Sequence, residues 1–98
     1  MLETIMMPEF YQLTKQKDVK IIDVREEDEY AAGHLPTAEN YPLSQLATSF
    51  VTLQKDDHYY VICHSGGRSA GACDFLASHG YQVTNVLGGT AGWLGELV

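Results

Sequence analysis

In the segment VICHSGGRSAGAC, Cys63 closes an apolar run, and His64, Ser65, Gly66 and Gly67 separate it from Arg68 and Ser69. A thiol does nucleophilic chemistry only as the thiolate, so the surroundings of Cys63 decide what it can do. The residues after Gly67 have helical character, and a helix that opens there leaves its first amides without partners inside the helix. Amides of residues 64 to 68 curled around the sulfur would stabilise negative charge, reinforced by the positive end of the helix dipole. Arg68 adds a permanent cation on the same side. Gly66 and Gly67 suit a backbone that bends tightly, through positive φ or the lack of a Cβ. Ser65 and Ser69 offer hydroxyls that either face inward or cap the helix. A plainer reading of the same residues is a small buried hydrophobe at a strand end and a structural ion pair for Arg68. Cysteine, four residues with two glycines, then arginine at a helix start favours an anion cradle.

Positioning that cradle requires regular elements on either side of it. HYYVIC (58–63) is a strand, and RSAGACDFLASHG is a helix that ends at Gly80. Upstream, TIMM is a short apolar start, and Pro8 suits the first turn of a helix through PEFYQLTKQ. VKIIDV (19–24) is a β-branched run short enough for a buried strand. EEDEYAAG places acids in the first turn of a following helix and a glycine at its end. Leu43, Leu46, Phe50 and Leu53 recur at helical spacing and predict an amphipathic helix. YQVTNVL (81–87) is a further strand, and GGTAGWLGEL closes with a turn and one short helix. The alternation predicts an α/β fold: a central, mostly parallel sheet with helices on both faces. Ligands in such sheets sit beyond the carboxyl ends of the strands, where Cys63 falls.

Composition bounds the reading further. Ninety-eight residues suit one domain, with 45% hydrophobic and 19% charged residues typical of a globular chain. A net charge of -7 has the wrong sign for general attraction to nucleic acid or an anionic membrane. MLETIMMPEF has no secretory pattern, and no apolar run reaches the length of a membrane span, so a cytoplasmic location with reduced thiols is expected. Cys63 and Cys73 are too few for a disulfide scaffold and have no zinc-finger spacing, so no metal is expected.

Three separated motifs resemble the single-domain rhodaneses, sulfurtransferases in which a cysteine on a cradle loop carries a sulfane sulfur as a persulfide. IIDVREEDEYAAGHLPTAENYPL (21–43) is similar to the family's Asp-Val-Arg and Gly-His-aliphatic-Pro stretch. CHSGGRSA (63–70) is similar to its active loop, and LGGTAGW (87–93) to its terminal signature. Thr37 stands where a glycine is usual. The resemblance implies a single rhodanese domain over 1–98 that works as a thiosulfate sulfurtransferase without cofactor. It implies Cys63 as the catalytic residue: it attacks the outer sulfur of thiosulfate or a persulfide donor, then passes that sulfur to cyanide or a thiol. His64, Ser65, Gly66, Gly67, Arg68 and Ser69 would bind the transferred group, and Arg68 would either hold a donor's sulfonate or support the loop.

Two other readings share these residues. The domain could be a relay module that hands sulfur to an acceptor protein, or a relative of dual-specificity phosphatases, whose loop is one residue longer. The shorter ring here suits a single sulfur atom, and no aspartic general acid lies in the loop. Asp23 and Arg25 follow a strand near the same sheet edge and are expected to pair behind the loop. His34 is expected to hold its turn, His64 to face either the pocket mouth or solvent, and His58 and His79 to lie on the surface. Cys73 is expected beside Leu76 against the sheet, too far along the helix to bridge Cys63. Trp93 and Tyr81 read as packing residues, and Tyr59 and Tyr60 as contributors to an interface.

Overall fold

The computed structural model describes residues 2–98. Five parallel strands form one sheet in the order β1-β5-β4-β2-β3. In chain order these are β1 (Thr4–Met6), α1 (Met7–Gln16), β2 (Lys20–Asp23), α2 (Glu27–Ala32), β3 (Glu39–Asn40), α3 (Leu46–Ser49), β4 (His58–Ile62), α4 (Gly67–Ser78) and β5 (Gln82–Leu87). Single turns of 3-10 helix flank α3 at Leu43–Gln45 and Phe50–Thr52, and another follows β5 at Thr90–Gly92.

Side chains alternate across a strand, so the continuous apolar runs of β2 and β4 fill both faces of the sheet. Ile22, Val61 and Val83 face Leu46, Ala72, Cys73 and Leu76 on the α3 and α4 side. Ile21, Ile62 and Val86 face Met7, Phe10, Leu35 and Ala38 on the other. The predicted α/β sheet covered on both faces is therefore the observed one.

Three local expectations change. TIM at the amino terminus is a strand, paired in parallel with β5, rather than only an apolar start. The segment 43–53 is not one helix but a four-residue α-turn between two 3-10 turns. Its Leu46 and Leu53 are buried as the spacing requires, but Thr48 and Thr52 bond back to carbonyls three residues earlier, which suits tight turns. Tyr59 is buried, with its hydroxyl accepting from the Gln54 amide, so it belongs to the core and not to an interface.

Candidate active site

Cys63 stands one residue past the end of β4, at the carboxyl-terminal pole of the sheet. The Val24 amide still donates to the Ile62 carbonyl at 2.9 Å, so β4 is held up to its last residue. From there the chain turns through His64 and Ser65, both exposed, to Gly66 at φ 124, and α4 begins at Gly67. Gly66 needs its glycine: a side chain at that φ is strained, and a Cβ would meet Leu87 at 3.3 Å. Gly67 does not, since it is helical and a Cβ there would meet open space.

The carbonyls of this loop are drawn away from the sulfur by the segment that follows β5. Thr90 donates its amide to Cys63 O at 2.9 Å, Ala91 to His64 O at 2.9 Å, and Gly88 to Ser65 O at 3.0 Å. The two chains run so close that a Cβ on Gly89, at φ 56, would fall 2.5 Å from the carbonyl oxygens of Cys63 and His64. With its carbonyls engaged there, the loop leaves amides for the thiol. Gly66 N donates to Cys63 Sγ at 3.1 Å, and the Ser69 hydroxyl lies 3.4 Å from the same sulfur.

Cys63 is only 1% exposed, and burial alone would push its thiol up. Hydrogen bonds from the Ser69 hydroxyl and from the amides of Ser69, Gly66 and Ser65 outweigh that penalty and hold the thiol below its ordinary value. Asn85 on β5 lies against the same hydroxyl: its Oδ1 shares the single Ser69 proton with the sulfur, and its Nδ2 donates to Gly66 O at 3.1 Å. Asn85 is 1% exposed, and its amide spans the loop and the helix start. Sequence reasoning missed it. The available signal was a polar amide inside the apolar strand VTNVL, since a buried amide needs partners.

Arg68 leaves the loop pointing outward. Its guanidinium grips Glu29 of α2 with two bonds of 2.7 and 3.0 Å. Glu29 also accepts from the Glu26 amide, closing a capping box at the start of α2. The Arg68 guanidinium, helped by that amide, holds the Glu29 carboxyl down at about 2. Asp23 and Arg25 form a buried pair at 2.8 Å, and Arg25 also donates to Gly33 O. Asn40 bonds the carbonyls of both, so this pair ties the end of β2 to α2 and β3.

The histidines are divided. His34 bonds Tyr30 O through Nδ1 and stacks on the Tyr30 ring at 3.7 Å, which holds its turn. His58 is not a free surface residue: it is half-buried, with Nε2 2.7 Å from Thr84 Oγ1. His79 is exposed beside Phe50 and Phe75. Trp93 packs on Phe10 and Tyr11, and Tyr81 on Phe50, as packing residues do. Among the described residues no group of three His, Cys, Asp or Glu side chains could hold a metal, and no helix is long and apolar enough to cross a membrane.

Residues 6–96 match the family model described as Rhodanese-like domain. YtwF of Bacillus subtilis is 36% identical over 85 residues, which span 87% of this chain and 82% of that protein. A sulfurtransferase of Allochromatium vinosum is 34% identical over 83 residues, 84% of this chain and 78% of the other. The crystal structure of a rhodanese-like domain protein from Staphylococcus aureus superposes with a TM-score of 0.90 at 32% identity, covering 99% of this chain and 97% of that one.

Proposed function

The chain belongs to the rhodanese-like domain family of sulfurtransferases, and from that premise we propose that it moves a sulfane sulfur through a persulfide on Cys63. The donor is thiosulfate or a persulfide, and the acceptor is a thiol, with cyanide as its laboratory substitute. One observation carries this reading: a single sulfur at the end of β4 is surrounded by hydrogen-bond donors that outweigh its burial.

In the first half-reaction the Cys63 thiolate attacks the outer sulfur of the donor. With thiosulfate, the sulfur–sulfur bond breaks and sulfite leaves with the electron pair. The Ser65, Gly66 and Ser69 amides and the Ser69 hydroxyl then face a persulfide whose charge sits one atom further out, as preorganised donors do for an oxyanion. In the second half-reaction an acceptor thiolate attacks that outer sulfur and Cys63 leaves as thiolate. Each step exchanges one sulfur–sulfur bond for another, or for a carbon–sulfur bond with cyanide, so no cofactor is required. A reducing, cytoplasmic setting is part of the proposal, because the chemistry needs Cys63 as a free thiolate.

The test is intact mass spectrometry after incubation with thiosulfate and with a small organic persulfide. A gain of one sulfur atom, reversed by cyanide and absent in Cys63→Ser, is the expected result. No adduct from any sulfane donor would overturn the assignment. A relay variant of the same chemistry, with a protein as donor or acceptor, has one specific support: His64, Ser65, Gly67 and Arg68 form an exposed rim. Clefts of about 300 and 250 Å³ lie elsewhere, lined by residues such as Lys17, Asp18 and Val19. An open rim admits a large partner as easily as a small ion. Faster release of sulfur to a protein thiol than to small thiols would distinguish the relay, and faster turnover of a phosphomonoester than of any sulfane donor would move the chain to the phosphatase reading.

A further inference from the structure

The six lysine and arginine side chains are distributed unevenly between the two poles of the sheet. Lys20 opens β2, and Lys15 and Lys17 lie in the last turn and at the cap of α1, which runs back from the end of β1. Lys55 precedes β4 and reaches over Tyr81 at the start of β5. All four lysines thus stand at the amino-terminal pole, the full length of the strands away from Cys63. Both arginines stand at the carboxyl-terminal pole, and each is already matched by a carboxylate. Arg25 is buried on Asp23, and Arg68 is held by both oxygens of Glu29. The neighbouring Glu26, Glu27 and Asp28 add further negative charge beside the loop.

Arg68 is close enough to the thiol for the two charges to act on each other, so it is the one guanidinium that could serve a donor's anionic end. Glu29 takes that capacity. A dianion such as thiosulfate would have to displace a bidentate carboxylate from Arg68 or bind without a cation, at a pole rich in acids. A persulfide on a neutral carbon chain carries at most one charge, on the very sulfur that the loop amides receive, and has no second anionic end that needs Arg68. Building on the sulfur-transfer reading, we propose that Glu29 determines donor specificity: by occupying Arg68 it disfavours thiosulfate and favours organic persulfides as the source of sulfur for Cys63. The favoured step is balanced as Cys63–S⁻ + R–S–SH → Cys63–S–SH + R–S⁻, in which the donor's sulfur–sulfur bond breaks and the carrier thiolate leaves with the electron pair.

The experiment compares the kcat/KM of loading from thiosulfate and from 2-hydroxyethyl persulfide, whose carrier is uncharged. It is run at a single pH of 8.5 for both donors and every variant, so that the ratio reads the change at position 29 and not a change in protonation. Wild type should prefer the persulfide. Glu29→Gln should shift the ratio toward thiosulfate on the order of tenfold, mainly through KM, since a partly exposed charge contact is worth about that much. The gain should shrink in high salt and vanish in Glu29→Gln/Arg68→Ala, whereas Glu29→Asp should fall between wild type and Glu29→Gln. An unchanged ratio in Glu29→Gln, or a gain that survives loss of Arg68, would overturn the specificity role while leaving sulfur transfer intact. Loading from neither donor would overturn both.

Discussion

Cys63 and Cys73 stand ten residues apart, both buried and both in the core cluster on the α4 side of the sheet, yet their thiols are driven in opposite directions. Burial raises both. At Cys63 the hydroxyl and amides of the loop reverse it, and the thiol is held below its ordinary value. At Cys73 nothing reverses it, and the nearby charges of Asp74 and Cys63 add to it, so that thiol is pushed up to about 12. The difference lies in where each sulfur meets the same helix. Cys63 sits before the start of α4, where amides have no partners within the helix, and Cys73 sits in its interior, where the amides are already spent on the preceding turn. A helix activates a thiol only at its amino terminus, and elsewhere it insulates one.

The largest expected effect is the loss of all chemistry from one thiol and of none from the other. Cys63→Ser should abolish sulfur loading, while Cys73→Ser should retain it at a rate close to wild type, provided the variant is folded by circular dichroism. Iodoacetamide should label Cys63 at neutral pH at least about a hundredfold faster than Cys73 in the native protein, because the thiolate is the reacting form. Comparable labelling of both positions in folded protein would break the contrast.

A smaller effect separates the two kinds of donor that act on Cys63. Ser69→Ala removes the hydroxyl and leaves the amides of Ser65, Gly66 and position 69 in place. The inflection in a plot of alkylation rate against pH should move upward. The rate at pH 7 should fall severalfold, because a smaller share of Cys63 is then thiolate. An inflection that stays where it was would mean that the backbone alone sustains the thiolate, and the contrast with Cys73 would then rest entirely on the position of the helix start.

The parts of this contrast visible in the sequence were those with a local signature. The glycine turn, the small residues opening α4 and the β-branched runs of β2 and β4 follow from spacing and propensity, and they place Cys63 at a sheet pole beside unpaired amides. The Rhodanese-like family follows from the three motifs together. What could not be read depends on residues brought together from afar. Asn85 reaches Ser69 across 16 positions and Glu29 reaches Arg68 across 39, and neither spacing leaves a pattern in the chain. The role of Gly88 and Gly89 in drawing the loop carbonyls aside was hidden for the same reason, because the sequence shows a turn there but not what the turn passes over. Segment 43–53 failed differently: of the four residues marked by apolar spacing, Leu46 and Leu53 are buried, but Phe50 is only partly buried and Leu43 is exposed, because tight turns in place of a continuous helix do not keep all four on one face.

The subtlest test of the contrast is the dependence of folding stability on pH, because the two thiols should act in adjoining windows and with opposite sign. An unfolded cysteine titrates near the ordinary value of 9.0. Cys63 titrates lower than that when folded, so between its folded value and 9.0 the unfolded state holds the extra proton, and stability rises with pH across that window. Cys73 titrates at about 12 when folded, so above 9.0 the folded state holds the extra proton and stability falls as pH rises. By pH 9.5 the Cys73 contribution should amount to about 1 kcal/mol relative to neutral pH, and it outweighs the last part of the Cys63 rise. Urea denaturation at pH 7.5, 8.5 and 9.5 reads both. Cys73→Ala should remove the alkaline decline while lowering stability uniformly through the lost packing, and Cys63→Ser should remove the rise below 9.0. If Cys73→Ala leaves the decline between pH 8.5 and 9.5 as steep as in wild type, burial is not holding that thiol neutral, and the difference between the two cysteines needs another cause.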